Sequence, residues 1–422
     1  MRVRVHRGSH EVGGSCVEVE HRGSRLVLDL GKPLTAGWGE TVPLPDVPGL
    51  ADGSDPDLLG LLISHPHLDH YGLVDQASAR VPLFVGRAAA AVIEAASFFN
   101  TSGPVLTPAG HWNHLTPQVF GPFRVTPYLV DHSAFDSYAL LVQAGGQRLL
   151  YTGDVRGHGR KKSLFEAMIR DPPTNVDVLL MEGTQVAEPT TPPTAPGHHG
   201  ATSEDQLELR LRDLFTTTTG LPVVVSSAQN IDRLVTVYRA ARRAHRILLV
   251  DLYTATVAAV TGKPTIPQPG FPDLGVYVPN RQRVAVKTSG QFHRTAQIRP
   301  VRVFPEQIAA DPARYVVLSS GSTVPELLYR NALKADGAVI WSLWSGYLSE
   351  ASGRRLKETI MGAGVPLIEA HTSGHATVPD LQRLVAAINP GRVVPIHTDA
   401  PHAFAGLFPR ASPVADGDWW SV

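Results

Sequence analysis

The sequence predicts an α/β protein in which a strand-rich part is interrupted by an inserted segment of alternating strands and helices, the insert built on a mostly parallel sheet. Three observations predict it. Short apolar runs repeatedly end in a histidine, aspartate or glutamate, as in Leu58-Leu59-Gly60-Leu61-Leu62-Ile63 before His65. A Pro/Thr-rich stretch between 188 and 203 has the composition of a linker. Beyond it, strand-like and helix-like runs alternate, and after about residue 365 strands with polar ends return. At 422 residues the chain exceeds a usual single-core domain. The division 1–195, 196–365 and 366–422 follows.

The elements follow in order. Val3 to His6, Cys16-Val17-Glu18-Val19-Glu20 and Arg25-Leu26-Val27-Leu28-Asp29 alternate or run apolar as strands, with Gly8, Gly13, Gly14, Gly23 and Gly31 as turns. Residues 88–99 are Ala-rich with helical spacing. Tyr128-Leu129-Val130 and Arg148-Leu149-Leu150-Tyr151 are strands ending in polar clusters, and Val178-Leu179-Leu180-Met181 ends at Glu182. In the insert, Leu221-Pro222-Val223-Val224-Val225, Arg246-Ile247-Leu248-Leu249-Val250-Asp251, Arg314-Tyr315-Val316-Val317-Leu318 and Ala338-Val339-Ile340-Trp341 are strands, with helices over 231–244 and 325–333. Pro379 opens a last helix with Leu381, Leu384, Val385 and Ile388 on one face, and Val393-Val394-Pro395-Ile396 delivers His397.

Composition narrows the function classes. Lys plus Arg and Asp plus Glu both number 38, so any grip on a polyanion is local. The single cysteine, Cys16, excludes an intramolecular disulfide and fits a reducing compartment. The N-terminus lacks an apolar signal core and no run approaches a membrane span, so a cytoplasmic protein without a membrane partner is expected.

The chemistry concentrates in His65-Pro66-His67-Leu68-Asp69-His70. Three imidazoles and a carboxylate in one short turn suit zinc and its neighbours among the divalent metals. Further metal-capable residues end other apolar runs: His132, Asp154 and His397. Singly, Asp154 reads as a turn residue and His132 as a core histidine. Together they provide six flanking ligands and one bridge, the number that two metals about 3.5–4 Å apart need. His198 and His199, in the Pro-rich stretch, read as a solvated loop.

This set, in this order, resembles the metallo-β-lactamase superfamily, whose five successive motifs are matched by Asp29, the 65–70 run, His132, Asp154 and His397. The resemblance implies an αββα sandwich. It assigns His65, His67 and His132 to one metal and Asp69, His70 and His397 to a second, with Asp154 bridging and Asp29 orienting the metal loop. Two Zn2+ ions are implied, Mn2+ being the alternative. The insert resembles the β-CASP domain of nucleic-acid-processing members: Glu182, His375 in His371-Thr372-Ser373-Gly374-His375-Ala376, and His397 match that branch's three extra motifs. Glu11-Val12-Gly13-Gly14-Ser15-Cys16 is similar to the opening turn of these nucleases. Members with histidine at the third position are similar to RNA-cleaving enzymes, whereas DNA-processing relatives tend to carry valine. Bacterial RNase J proteins typically carry a further C-terminal domain, and none is expected after Asp416-Gly417-Asp418-Trp419-Trp420, so their polarity and oligomeric state are not carried over; a monomer or a homodimer is expected.

The resemblance therefore implies a metal-dependent ribonuclease. A metal-bridging hydroxide, oriented by Asp69, would attack phosphorus, and His375, held by Glu182, would protonate the leaving oxygen. Strand-end serines and glycines (Ser227, Ser320, Ser373, Gly374) and the basic Arg160 and Lys161 are candidate phosphate contacts. Trp341 reads as core, Trp344 and Tyr347 as either core packing or base stacking, and Arg233, Arg239, Arg242 and Arg243 as a solvated helix face; His158 has no assigned role. The rivals are a DNA-processing nuclease, a small-molecule metallohydrolase and a non-enzymatic scaffold paralogue.

Overall fold

The computed structural model describes residues 1–37, 40–100, 103–187 and 203–422; His198 and His199 lie outside them. Two compact units emerge, Met1–Pro192 with Gly374–Val422, and Pro193–Ser373.

The first unit is built on two sheets. One has seven strands in the spatial order Trp419–Ser421, Arg2–Arg7, Cys16–His21, Ser24–Leu28, Leu58–Leu62, Leu83–Gly86, Gly110–Trp112. The other has six: Arg392–Ile396, Val178–Glu182, Gln147–Tyr151, Tyr138–Ala144, Phe123–Leu129, Gln118–Phe120. Alternation along the strands sets the layers. Val3, Val5, Val17, Val19, Leu26 and Leu28 point inward and share one core with Phe123, Val125, Leu140, Val142, Leu180 and Ile396 of the facing sheet. Val27 points the other way, into a second core with Leu61 and with Ala89 and Ile93 of the helix Arg87–Phe99. On the outer face of the six-stranded sheet, Leu141, Leu150 and Leu179 pack with Phe165 of the helix Lys162–Arg170 and Leu381, Leu384 and Ile388 of the helix Val378–Ile388. The layers are thus helix, sheet, sheet, helix, an αββα sandwich. The helix Arg87–Phe99 starts at Gly86 without a cap of its own. Asp136 caps it from a distant loop, accepting from the Ala88 and Ala89 amides at 2.8 and 3.1 Å. A Cβ on Gly86 would stand 2.3 Å from the Asp136 carboxylate, which leaves room only for glycine.

The second unit holds a seven-stranded sheet in the order Arg302–Val303, Leu274–Tyr277, Ile247–Asp251, Tyr315–Ser319, Pro222–Val225, Ala338–Trp341, Leu367–Glu369, every pairing parallel. Its strands are near-continuous apolar runs buried on both faces, the pattern of a helix-covered parallel sheet. Trp341 lies in this core. Two expectations change here. Leu367–Glu369, expected in the returning stretch, pairs with Ala338–Trp341 and belongs to the second unit, which ends at Ser373.

Arg233, expected on a solvated face, is fully buried. Its guanidinium donates to Glu204 (3.2 Å), to the Ser342 carbonyl (2.7 Å) and to the Thr372 carbonyl (3.1 Å). Glu204 accepts from Thr236 as well, at 2.6 Å. Periodicity correctly marked the helix but could not show that its first turn meets a buried carboxylate. Arg233→Ala strands that carboxylate, and a loss of about 3–5 kcal/mol is expected. Urea denaturation measures it; a loss under 1 kcal/mol would show that the network is dispensable. Arg239, Arg242 and Arg243 are half exposed, as expected. Among the described residues, no helix is long and apolar enough to cross a membrane.

Candidate metal centre

Strand register assembles the site. Tyr151 pairs with Leu180 and Glu182 with Ile396 in adjacent parallel strands. Their carboxyl ends, where such sheets carry their chemistry, therefore deliver Asp154, Glu182 and His397 side by side. From the facing sheet, Leu58–Leu62 leads into His65, and Asp69 and His70 lie in the short helix Leu68–Tyr71. Gly31 packs against this helix so closely that a Cβ there would lie 1.8 Å from the Asp69 carbonyl. The expected opening turn also packs here, with Ser15 donating to that carbonyl at 3.1 Å.

His70, His132 and His397 are each aimed by a partner on one nitrogen, which leaves the other facing inward. Asp29 Oδ2 lies 2.7 Å from His70 Nδ1, and the same carboxylate accepts from the Ser64 amide and hydroxyl (2.6 and 2.7 Å) and from Tyr151 Oη (2.7 Å). His132 Nδ1 donates to the Gly374 carbonyl at 2.7 Å. His397 Nδ1 meets Thr184 Oγ1 at 2.8 Å. Asp29 and His397 both have positive φ, 58° and 54°, sharp turns that swing a side chain off a strand end.

The inward-facing atoms form two groups that could each hold a cation. His65, His67, His132 and Asp154 make one; Asp69, His70 and His397 make the other. Asp154 Oδ2 stands 3.5 Å from His65 Nε2, 3.4 Å from His70 Nε2 and 3.8 Å from His132 Nε2, and Asp154 Oδ1 stands 3.8 Å from His397 Nε2. Asp154 thus reaches both groups. His397 Nε2 lies 3.2 Å from Asp69 Oδ2, and His132 Nε2 3.1 Å from His67 Nδ1. Donors at 2.0–2.1 Å from a tetrahedral ion stand about 3.3 Å apart, which is this spacing.

The fit to a cation is also visible in what lacks a partner. His65 Nε2, His70 Nε2 and both Asp154 carboxylate oxygens are buried without a hydrogen bond. Each such atom costs about 1–3 kcal/mol unless an ion engages it. Burial and the neighbouring His70 push the His65 ring well below the usual histidine range, and burial does the same to His132, so both are neutral, the ligating form. Burial opposes ionisation of Asp154, yet His397 and His70 hold its carboxyl well below the usual carboxylate range. The cluster is a divalent-metal site.

Beside it stands a second arrangement. Glu182, fully buried, accepts from the Val155 and Ala376 amides at 3.1 and 3.3 Å. Its Oε2 lies 3.3 Å from His375 Nδ1, which is also 3.6 Å from Asp154 Oδ2 and 3.1 Å from Thr184 Oγ1. Burial lowers the His375 pKa, but the Glu182 and Asp154 charges outweigh it and raise it to about 9.

The remaining sequence candidates are dispersed. Gly374 serves the cluster through its carbonyl, and a Cβ there would meet Ser133 Oγ at 2.7 Å. Ser227 and Ser320 are exposed at strand ends of the second unit, where each engages in a local turn, with the Gln229 amide (3.2 Å) and Ser322 Oγ (2.8 Å). Ser373 closes that unit. Lys161 is the residue before the helix Lys162–Arg170, with Arg160 preceding it. Trp344 is 62% exposed and edge-on to Tyr347. His158 Nδ1 lies 3.8 Å from Asp380 Oδ2. Sequence reasoning missed Ser64, Tyr151 and Thr184. Ser64 adjoins the motif and Thr184 follows Glu182 by two residues, yet a hydroxyl at either place carries no pattern of its own.

A beta-lactamase superfamily domain matches residues 35–214, and a Zn-dependent metallo-hydrolase RNA specificity domain matches 368–405. The chain is similar to proteins named ribonuclease J: 24% identical over 386 positions to that of Sinorhizobium meliloti, covering 87% of this chain and 62% of the relative, and 24% identical over 424 positions to that of Corynebacterium glutamicum, covering 95% and 54%. It thus spans less than two thirds of either relative's length. A cleavage and polyadenylation specificity factor subunit 3 from Dictyostelium discoideum is 26% identical over 225 positions, 42% of this chain and 25% of the relative. In fold, the crystal structure of a protein of unknown function from Enterococcus faecalis superposes with a TM-score of 0.81 at 19% identity, covering 100% of this chain and 99% of that one. Sandwich, metal cluster, parallel insert and both domain matches agree: the chain belongs to the metallo-β-lactamase superfamily, in its ribonuclease J-like β-CASP branch.

Proposed function

We propose that the chain is a metal-dependent ribonuclease hydrolysing RNA phosphodiester bonds, with His375 as general acid. The observation that carries this reading is the Glu182–His375 pair set 3.6 Å from Asp154: an acid held against the metal cluster by a buried carboxylate is what leaving-group protonation needs. The relatives named as ribonucleases support RNA as the substrate class.

In this reading His65, His67 and His132 hold one cation, Asp69, His70 and His397 a second, and Asp154 serves both. Zinc suits the imidazole-rich donors and their tetrahedral spacing, with manganese the alternative. Bound divalent cations lower the pKa of water and neutralise charge developing on phosphate oxygens. Asp69 Oδ2, held 3.2 Å from His397, is placed to accept a hydrogen bond from the attacking water. His375 gives its proton to the leaving oxygen, while Glu182 and Thr184 fix its Nδ1 edge and keep the ring cationic. Asp29, through His70, fixes the loop. We infer a cytoplasmic enzyme.

The test is incubation of metal-replete protein with 5′-labelled and internally labelled RNA and DNA. Cleavage of RNA but not DNA is expected. Mononucleotides released from the 5′ end would define an exonuclease, internal fragments an endonuclease. Intact RNA after prolonged incubation would end the ribonuclease reading.

A further inference from the structure

The second unit carries a concentration of positive charge that the metal chemistry does not use. Residues 274–305 include Arg281, Arg283, Lys287, Arg294, Arg299 and Arg302 but no Asp or Glu, and residues 233–250 hold five arginines and again no acid. In a chain of zero formal charge, such runs make a strong local field.

The fold brings the two runs together at the edge where the parallel strands begin. A cavity of about 570 Å³ is lined by Arg239, Arg242, Arg243 and Arg246, and a second of about 250 Å³ by Arg302 and Arg314. Ile247 and Asp273 line both, so they join into one groove. Only part of its charge is neutralised. Arg242 pairs with Asp273 at 3.1 Å, and Arg239 and Arg243 share Glu208. Arg246 is buried and donates to the carbonyls of Gly220, Tyr315 and Thr218. Arg302 and Arg314 lie over aromatic rings, of Phe304 and Tyr315 respectively. Phe304 is 47% exposed, so its ring is partly open to solvent beside Arg302. Scattered surface arginines usually serve solubility alone. A concave, acid-poor groove with an exposed ring is instead how single-stranded nucleic acid is held.

We propose that this groove docks a single-stranded stretch of RNA, its phosphates on the arginines and a base on Phe304. The proposal rests on the ribonuclease reading for the identity of the ligand. Its test reads binding separately from cleavage. Anisotropy of a fluorescent single-stranded oligoribonucleotide is followed with EDTA present, across a salt series, for the full chain and two variants. Reversal of three exposed groove arginines together (R239E, R242E, R314E) is expected to weaken binding at low salt at least tenfold. It should also flatten the dependence of log affinity on log salt by about 2, at roughly 0.7 per phosphate contact. Phe304→Ala is expected to weaken binding about 5- to 150-fold while leaving that slope unchanged. Metal-loaded hydrolysis of bis(p-nitrophenyl) phosphate should be equal in all three proteins, and thermal melting should show that each is folded. Unchanged affinity and slope in the triple variant would overturn the groove, as would displacement of the RNA by poly-glutamate as effectively as by unlabelled RNA. If the unmodified protein binds RNA in this way yet cleaves neither RNA nor the diester, the groove stands and the ribonuclease reading falls.

Discussion

Asp154→Asn is expected to remove both metal occupancy and activity. Asp154 reaches His65, His70 and His132 through one oxygen and His397 through the other, so the amide loses the negative charge that both groups share and turns one of the two oxygens into a nitrogen that cannot ligate. Metal-assisted charge stabilisation is worth several kcal/mol, and a fall in kcat of at least about 10²–10³ follows. Stability gives an independent readout. A cation at 100 times its Kd adds about 2.7 kcal/mol to the protein it binds. The unmodified chain should therefore melt higher with added Zn2+, and Asp154→Asn should show little or none of that rise. A variant that still bound two equivalents, measured by elemental analysis after gel filtration, would remove Asp154 from the shared position.

The second large effect concerns His375. His375→Ala is expected to keep the metal content and the metal-dependent rise in melting temperature while losing about 10²–10⁴ in kcat. Because His375 also groups with Asp154 and His397, their ligand-capable atoms within 4.8 Å of one another, metal content separates the alternatives: loss of one equivalent would make it a ligand. The pH profile gives the sign. The proton-donating form is the cation, so its contribution is present below the His375 pKa and fades above it. Without metal that pKa is raised to about 9 by Glu182 and Asp154 against the effect of burial, and bound cations would repel the proton and bring it down. The alkaline fall in rate should lie at or below about pH 9 and vanish in His375→Ala. In the metal-free protein, the raised pKa contributes stability that is complete below about 6.5 and is lost as the pH rises to about 9. His375→Ala should accordingly melt below the unmodified chain at pH 6 and match it above pH 9.

Much of this site was legible because its signals are local. Six adjacent residues, 65–70, announce a metal by their types alone, and His132, Asp154, Glu182 and His397 stand out because each ends an apolar run. Arg233 shows the limit. Its neighbours Arg239, Arg242 and Arg243 are on the surface as helical spacing suggests, but its own partners Glu204, Ser342 and Thr372 come from three distant stretches. The same applies to Asp136, which caps a helix it does not adjoin in sequence, and to Trp419–Ser421, which pairs with Arg2–Arg7. Hydroxyls such as those of Ser64, Tyr151 and Thr184 are invisible until the carboxylate or imidazole they bond is in place.

By itself, then, the sequence determined the kinds of chemistry present and the period of each element, since ligand type, apolar alternation and turn residues act over a few positions. Which atoms meet was decided only by tertiary structure. Parallel register placed Asp154, Glu182 and His397 at neighbouring strand ends, and packing of the facing sheet brought the 65–70 turn against them. The basic groove arose in the same way, when strand order joined two acid-free runs. Such meetings depend on pairings between residues tens to hundreds of positions apart, and these form because the apolar faces of whole sheets must be buried together.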